Sequence, residues 1–160
     1  MVASLYAIGY SPYIIYQLFK KYSKEIIGTS QIPWFSKLMH FPFSAKKTLT
    51  GFHNGEAIEN VYDRLAKLKQ ITNINQIKMP IAIPTVDIMK SKEYVFTNQI
   101  PKKAADITQY ITDISIGKAV RASSSFPAVF SPCYMEKHAF MDGGALDNVP
   151  VNEVRKLRSR

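Results

Sequence analysis

Runs with the apolar spacing of a helix alternate along this chain with apolar runs too short to be helices. Met1 to Ile8 is apolar on most helical faces, which implies burial on several sides, and Gly9 supplies a natural stop. Ser11 and Pro12 restart a helix as N-cap and first helical residue, with Ile14, Ile15, Leu18, Phe19 and Tyr22 as its apolar stripe. Asn54 or Gly55 opens a third helix, in which Ile58, Val61, Leu65 and Leu68 recur at helical spacing. Met79 to Ile88 reads as a strand ending in Thr85-Val86-Asp87. Pro84 argues against it, because proline cannot donate to a sheet ladder. Tyr94 to Thr97 is a second strand, paired with the first. Ile114 to Ala122 reads as a helix that ends at Ser123-Ser124-Ser125 and Phe126-Pro127. Val129-Phe130 and Ala139-Phe140-Met141 are short strands, and Pro150 opens a last helix carrying Val151, Val154 and Leu157. Residues 28–54 show no period and read as an irregular insertion or lid, and 98–113 as a polar irregular stretch. Helices alternating with short strands make a layered α/β fold.

Composition narrows the alternatives. The chain has 160 residues, one domain or most of one, and is 46% hydrophobic and 21% charged, which fits a globular protein. A single cysteine, Cys133, excludes an internal disulfide and a multi-cysteine zinc site. No apolar run approaches the ~18 residues of a membrane-spanning helix. The net charge of +9 attracts polyanions, either nucleic acid or anionic lipid headgroups. Its clearest cluster, Arg155, Lys156, Arg158 and Arg160, reads as a solvated helix face, with a membrane or nucleic-acid patch as the alternative. No basic residue precedes the opening apolar stretch, as a secretory signal would require; the first is Lys20. A buried helix that begins abruptly fits better, and further sequence is expected upstream.

The strongest local signal for chemistry is Phe140-Met141-Asp142-Gly143-Gly144. A carboxylate leaves the end of a short apolar strand and two glycines follow, which permit close approaches that side chains block. On the residues alone, Asp-Gly is equally a common hairpin turn. Other candidates have plainer readings. His40, His53 and His138 are scattered and read as surface or loop residues. Cys133 reads as packing, and Ser123, Ser124 and Ser125 as a helix end. Asp87 is expected to bond backbone donors at the end of its strand. Asp147 is a turn acid with no matched role. Trp34, Phe35, Phe41 and Phe43 suit either a core or an acyl-chain contact.

Order and spacing decide among these. Ala119-Val120-Arg121-Ala122-Ser123-Ser124-Ser125-Phe126-Pro127-Ala128-Val129-Phe130, then Phe140 to Gly144, then Asn148-Val149-Pro150-Val151, resembles the C-terminal motif block of the patatin-like phospholipases. Pro80 to Asp87 with Tyr94-Val95-Phe96 resembles the family's central strand pair, and Val2 to Ser11 the helix that follows its nucleophile turn. The resemblance implies a mainly parallel sheet flanked by helices, incomplete at both ends, so that residues 1–160 form a partial domain. It also implies a lipid acyl ester hydrolase with a serine–aspartate dyad. Asp142 is the one catalytic position carried over, as base for a serine, with Gly143 and Gly144 shaping its loop. The family's Gly-x-Ser-x-Gly is absent from this sequence and is expected just upstream. Gly28-Thr29-Ser30 only imitates its start, so Ser30 is not the expected nucleophile. The chain alone is expected to be inactive, since a base without a nucleophile or oxyanion donors has nothing to activate.

No metal or organic cofactor is implied. The expected partner is a lipid or phospholipid ester, with peripheral contact at an anionic membrane and a cytoplasmic location, and no nucleic acid. The rival readings are a non-catalytic lipid- or protein-binding remnant of the fold and, less favoured, a basic nucleic-acid-binding domain.

Overall fold

The structure is a computed structural model that describes residues 1–27, 55–101, 108–126 and 130–145. Its elements run α1 (Val2–Ala7), α2 (Pro12–Ile27), α3 (Glu56–Lys67), a 3-10 turn at Ile74–Gln76, β1 (Ala82–Asp87), β2 (Lys92–Thr97) and β3 (Gln109–Ile111). They continue with α4 (Ile116–Ser123), β4 (Cys133–Met135), β5 (His138–Asp142) and a 3-10 turn at Gly143–Ala145. The insertion expected at 28–54, Ser30, His40, His53, the aromatics at 34–43, Asp147, the Pro150 helix and the terminal basic cluster lie outside the described residues.

Local chemistry sets the helix ends. Gly9 has a φ of +94°, and the N–H groups of Gly9 and Tyr10 donate to the carbonyls of Tyr6 and Leu5, which closes α1. Ser11 caps α2, its Oγ accepting from the Ile14 N–H at 3.4 Å. Gly55, at φ +72°, precedes α3 and lies under the Arg121 side chain. The stripes hold with two exceptions: Ile14 and Leu68 point to solvent, while Tyr62 is buried in their place. Ile14 falls at the flank of the α2 stripe. Leu68 lies past the last turn of α3, where the chain leaves the core.

The five strands form one sheet in the order β3-β2-β1-β5-β4. Three of its four pairings are antiparallel, and only β2 with β3 is parallel. The described sheet is therefore mixed, and the mainly parallel arrangement expected from the resemblance is not what these strands carry. Short links are the reason for two of the three antiparallel pairs. Four residues separate β1 from β2 and two separate β4 from β5, whereas a parallel pair needs a crossover of about a dozen residues or more. β3 and β4 had no sequence signal, because three residues are too few to show alternation.

Pro84 sits inside β1, next to β5, without breaking the sheet. The Ile88 N–H donates across to the Ala139 carbonyl at 3.0 Å, so the even-numbered residues of β1 face β5. The ladder with β5 ends at Thr85. The Pro84 nitrogen thus falls one step beyond its last rung, where no donor is needed.

Strand alternation sorts the side chains by face. Ile83, Thr85 and Asp87 share one face with their partners Phe96, Tyr94 and Lys92, and with Asp142 and Phe140. On this face Tyr94, Phe96 and Phe140 join Leu5, Ile8, Ile58, Val120 and Ala122 in the main core. The other face carries Val86, Val95, Ala139 and Met141, also buried. α3 and α4 approach closely where Gly117 meets α3: a Cβ there would collide with the Glu59 carbonyl and lie 2.6 Å from the Asp63 carboxylate. Asp63 instead accepts the Gly117 N–H at 2.8 Å, placing negative charge at the start of α4.

Candidate active site

Asp142 is the last residue of β5, on the helix-covered face, and is half-buried. Its backbone N–H donates to the Ser125 carbonyl at 3.2 Å, just past the end of α4. Its neighbour across the ladder is Thr85, whose buried hydroxyl donates to the Met141 carbonyl at 2.6 Å. The carboxylate accepts the Gly144 N–H at Oδ1, 2.9 Å away. Asp142 Oδ2 has no hydrogen-bond partner among the described residues. Among the described residues, then, one oxygen is held by the loop and the other is unbonded.

Gly143 fits where no other residue would. A Cβ on it would lie 2.7 Å from both the carbonyl carbon and the oxygen of Pro84. The chain can turn here only by packing its bare Cα on the β1 backbone. Asp142-Gly143-Gly144 is thus a 3-10 turn rather than a hairpin. Gly143 secures the close approach and Gly144 supplies the N–H. The two glycines thus enter the turn by different means, one by a close approach and the other by a hydrogen bond.

Burial lowers the pKa of the Met1 amino group, and the negative charge of Asp142 partly offsets that effect. The two groups are therefore within electrostatic reach, although 141 positions separate them in the sequence. α1 itself is anchored through buried Leu5, Ile8 and Ser4, whose Oγ donates to the Met1 carbonyl at 2.6 Å.

The serines after α4 act as a helix end. Ser124 is the C-cap, and the Ser125 Oγ donates to the Arg121 carbonyl at 2.9 Å. What the sequence did not reveal is that the Ser125 carbonyl holds the Asp142 backbone, tying the motif containing Arg121 to the motif containing Asp142. Arg121 pairs with Glu59 at 2.8 Å, fixing α4 to α3. Cys133 is buried and its thiol pKa is raised by burial, which suits packing rather than nucleophilic attack.

The other end of β5 holds a second acid. Asp87 is fully buried and accepts N–H groups from Met89 at 3.0 Å and Ala139 at 3.2 Å, the backbone role expected of it. Its Oδ2 also lies 2.7 Å from His138 Nδ1. His138 is therefore no free surface histidine: its ring stacks on Phe140 at 8° and meets Tyr94 edge-on. Burial pushes the Asp87 pKa up. The His138 bond, the two backbone donors and the His138 charge outweigh burial and bring it below its ordinary value. The sequence signal was available in principle, since His138 and Phe140 alternate on one face of a strand, but the pairing with Asp87 depends on register.

Among the described residues, no group of His, Cys, Asp and Glu is placed to hold a metal ion, and no helix is long and apolar enough to cross a membrane. The structure is a layered α/β domain with a glycine-backed carboxylate at the end of β5. The family model described as Patatin-like phospholipase matches residues 1–155, and the chain belongs to that family. Its members act on lipid acyl esters and are typically serine hydrolases.

Proposed function

We propose that Asp142 is the general base of a serine–aspartate dyad that hydrolyses lipid acyl esters. The observation that carries this reading is the Asp142 carboxylate at the end of β5, with Oδ1 held by the Gly144 N–H and Oδ2 without a partner among the described residues. A serine hydroxyl brought to Oδ2 would give up its proton directly, without an intervening histidine. The carboxylate would take the hydroxyl proton as the oxygen attacks the ester carbonyl, and return it to the departing alcohol. Fixing Oδ1 on the Gly144 N–H orients the carboxylate and leaves its other oxygen for that proton.

The 160 residues contain no Gly-x-Ser-x-Gly, so this reading takes the hydroxyl and the oxyanion donors from preceding sequence. The chain by itself then turns over no ester. The test is p-nitrophenyl ester hydrolysis by three proteins: this chain, the chain extended by its upstream coding sequence, and the extended chain with Asp142→Asn. Serine-dependent turnover is expected only in the second, and the substitution should remove about 10²–10⁴-fold of it. Unchanged turnover in the Asp142→Asn protein would overturn the dyad. An inert extended protein would leave a binding remnant of the fold.

A further inference from the structure

Six of the thirteen exposed large apolar side chains among the described residues fall within residues 1–16. They are Met1, Val2, Tyr6, Tyr13, Ile14 and Tyr16, with Tyr13 72% exposed, Tyr16 62%, Val2 59% and Tyr6 51%. In α2 they occupy the side opposite the core. Ile15, Leu18, Phe19 and Tyr22 pack inward, while Tyr13, Tyr16, Gln17 and Lys20, at i, i+3, i+4 and i+7, form the outer face. α1, joined to α2 through Gly9, likewise turns Val2 and Tyr6 away from buried Leu5 and Ile8.

The charge along these helices is mainly positive. Residues 1–27 contain three lysines and one glutamate, Glu25. Lys20 and Lys21 are exposed at the end of the tyrosine face. Lys21 also lies 5.3 Å from the Tyr22 ring, and Lys69 of the loop after α3 lies 4.8 Å from the Tyr10 ring, so cations border the layer on its inner flank too. Exposed tyrosines edged by lysines suit a boundary that is apolar on one side and anionic on the other. Aromatic side chains with a polar tip settle at headgroup level, and lysines attract anionic headgroups.

We infer that the outer face of α1 and α2, centred on Tyr13, Tyr16 and Lys20, is the surface by which this protein docks on an anionic lipid bilayer. The helices lie in the interface plane, as an amphipathic segment does, with the tyrosines at the headgroups and the lysines against lipid phosphate and carboxylate groups. The inference deepens the functional reading above and rests on it in taking the docked lipid as the source of the ester.

The test is sedimentation of this chain with phosphatidylcholine vesicles, with and without phosphatidylserine. Binding is expected only with phosphatidylserine. Lys20→Gln with Lys21→Gln should weaken it roughly 30-fold, at about one headgroup interaction lost per lysine. Tyr13→Ser with Tyr16→Ser should weaken it several-fold, and exposure at both sites protects the fold. The control pair Lys90→Gln with Lys137→Gln removes the same charge from two turns between strands and should leave binding unchanged. Equal weakening by the control pair would assign attraction to net charge and overturn the inference. So would failure of the unsubstituted chain to bind, or indifference to the α2 substitutions. Asp142→Asn should bind as the parent does, so loss of the dyad reading and loss of the docking reading give different results.

Discussion

β5 begins at one acid-bearing site and ends at another, and the two differ in what their carboxylates have left to do. At its start, buried Asp87 has both oxygens engaged, by His138 and by the N–H groups of Met89 and Ala139. At its end, half-buried Asp142 has one oxygen engaged, by the Gly144 N–H of its own turn. The first is a saturated clamp that pins β5 to the end of β1. The second is a carboxylate that, among the described residues, keeps one oxygen without a partner. A catalytic base must have room for a reacting group, and only the second site offers it.

That contrast can be broken by substitution. The largest effect expected is on turnover of the extended protein, where Asp142→Asn should cost about 10²–10⁴-fold while the melting temperature stays close to that of the parent. A large stability loss instead would make Asp142 a clamp like Asp87. Asp87→Ala should do the reverse in this chain. It orphans two backbone donors and a histidine, and should destabilise by about 3 kcal/mol, read by denaturant unfolding.

Gly143→Ala comes next. The new methyl must displace the β1 backbone at Pro84, so a loss of about 1–3 kcal/mol is expected, with turnover of the extended protein falling as the loop shifts. The melting temperature of Gly143→Ala against that of the unsubstituted chain reads the cost of losing the close approach. The smallest effect is on pH. The Asp87 pKa is lower in the folded chain than its ordinary value of 3.8, so the unfolded chain binds more protons near that pH. The stability Asp87 contributes is complete above about pH 3.8 and is lost as pH falls through the native value. His138→Gln removes the charge that helps lower this pKa, and should shrink the acid loss measured by thermal unfolding between neutral pH and pH 3. An unchanged acid profile would mean that the backbone donors alone hold Asp87.

Much of the framework could be read from residues. The Gly9 stop, the Ser11-Pro12 start, the stripe at Ile58, Val61 and Leu65, and the strand Tyr94 to Thr97 are local features, and local propensity placed them. Asp142 and its glycines were legible through motif order. The errors share a cause. Ile14 and Leu68 have the spacing of core residues but sit at the flank of one stripe and beyond the end of another. β3 and β4 are too short to carry a period. His138 looked isolated because its partner lies 51 positions away.

The sequence by itself determined where helices begin and end, which residues favour the interior, and which acid is followed by glycines, because each depends on neighbours within a few positions. Tertiary structure alone decided that Gly143 packs on Pro84, that Ser125 holds the Asp142 backbone, and that Asp87 is occupied by His138. These relations depend on strand order and register, which bring distant segments within a few ångströms and which no local pattern encodes.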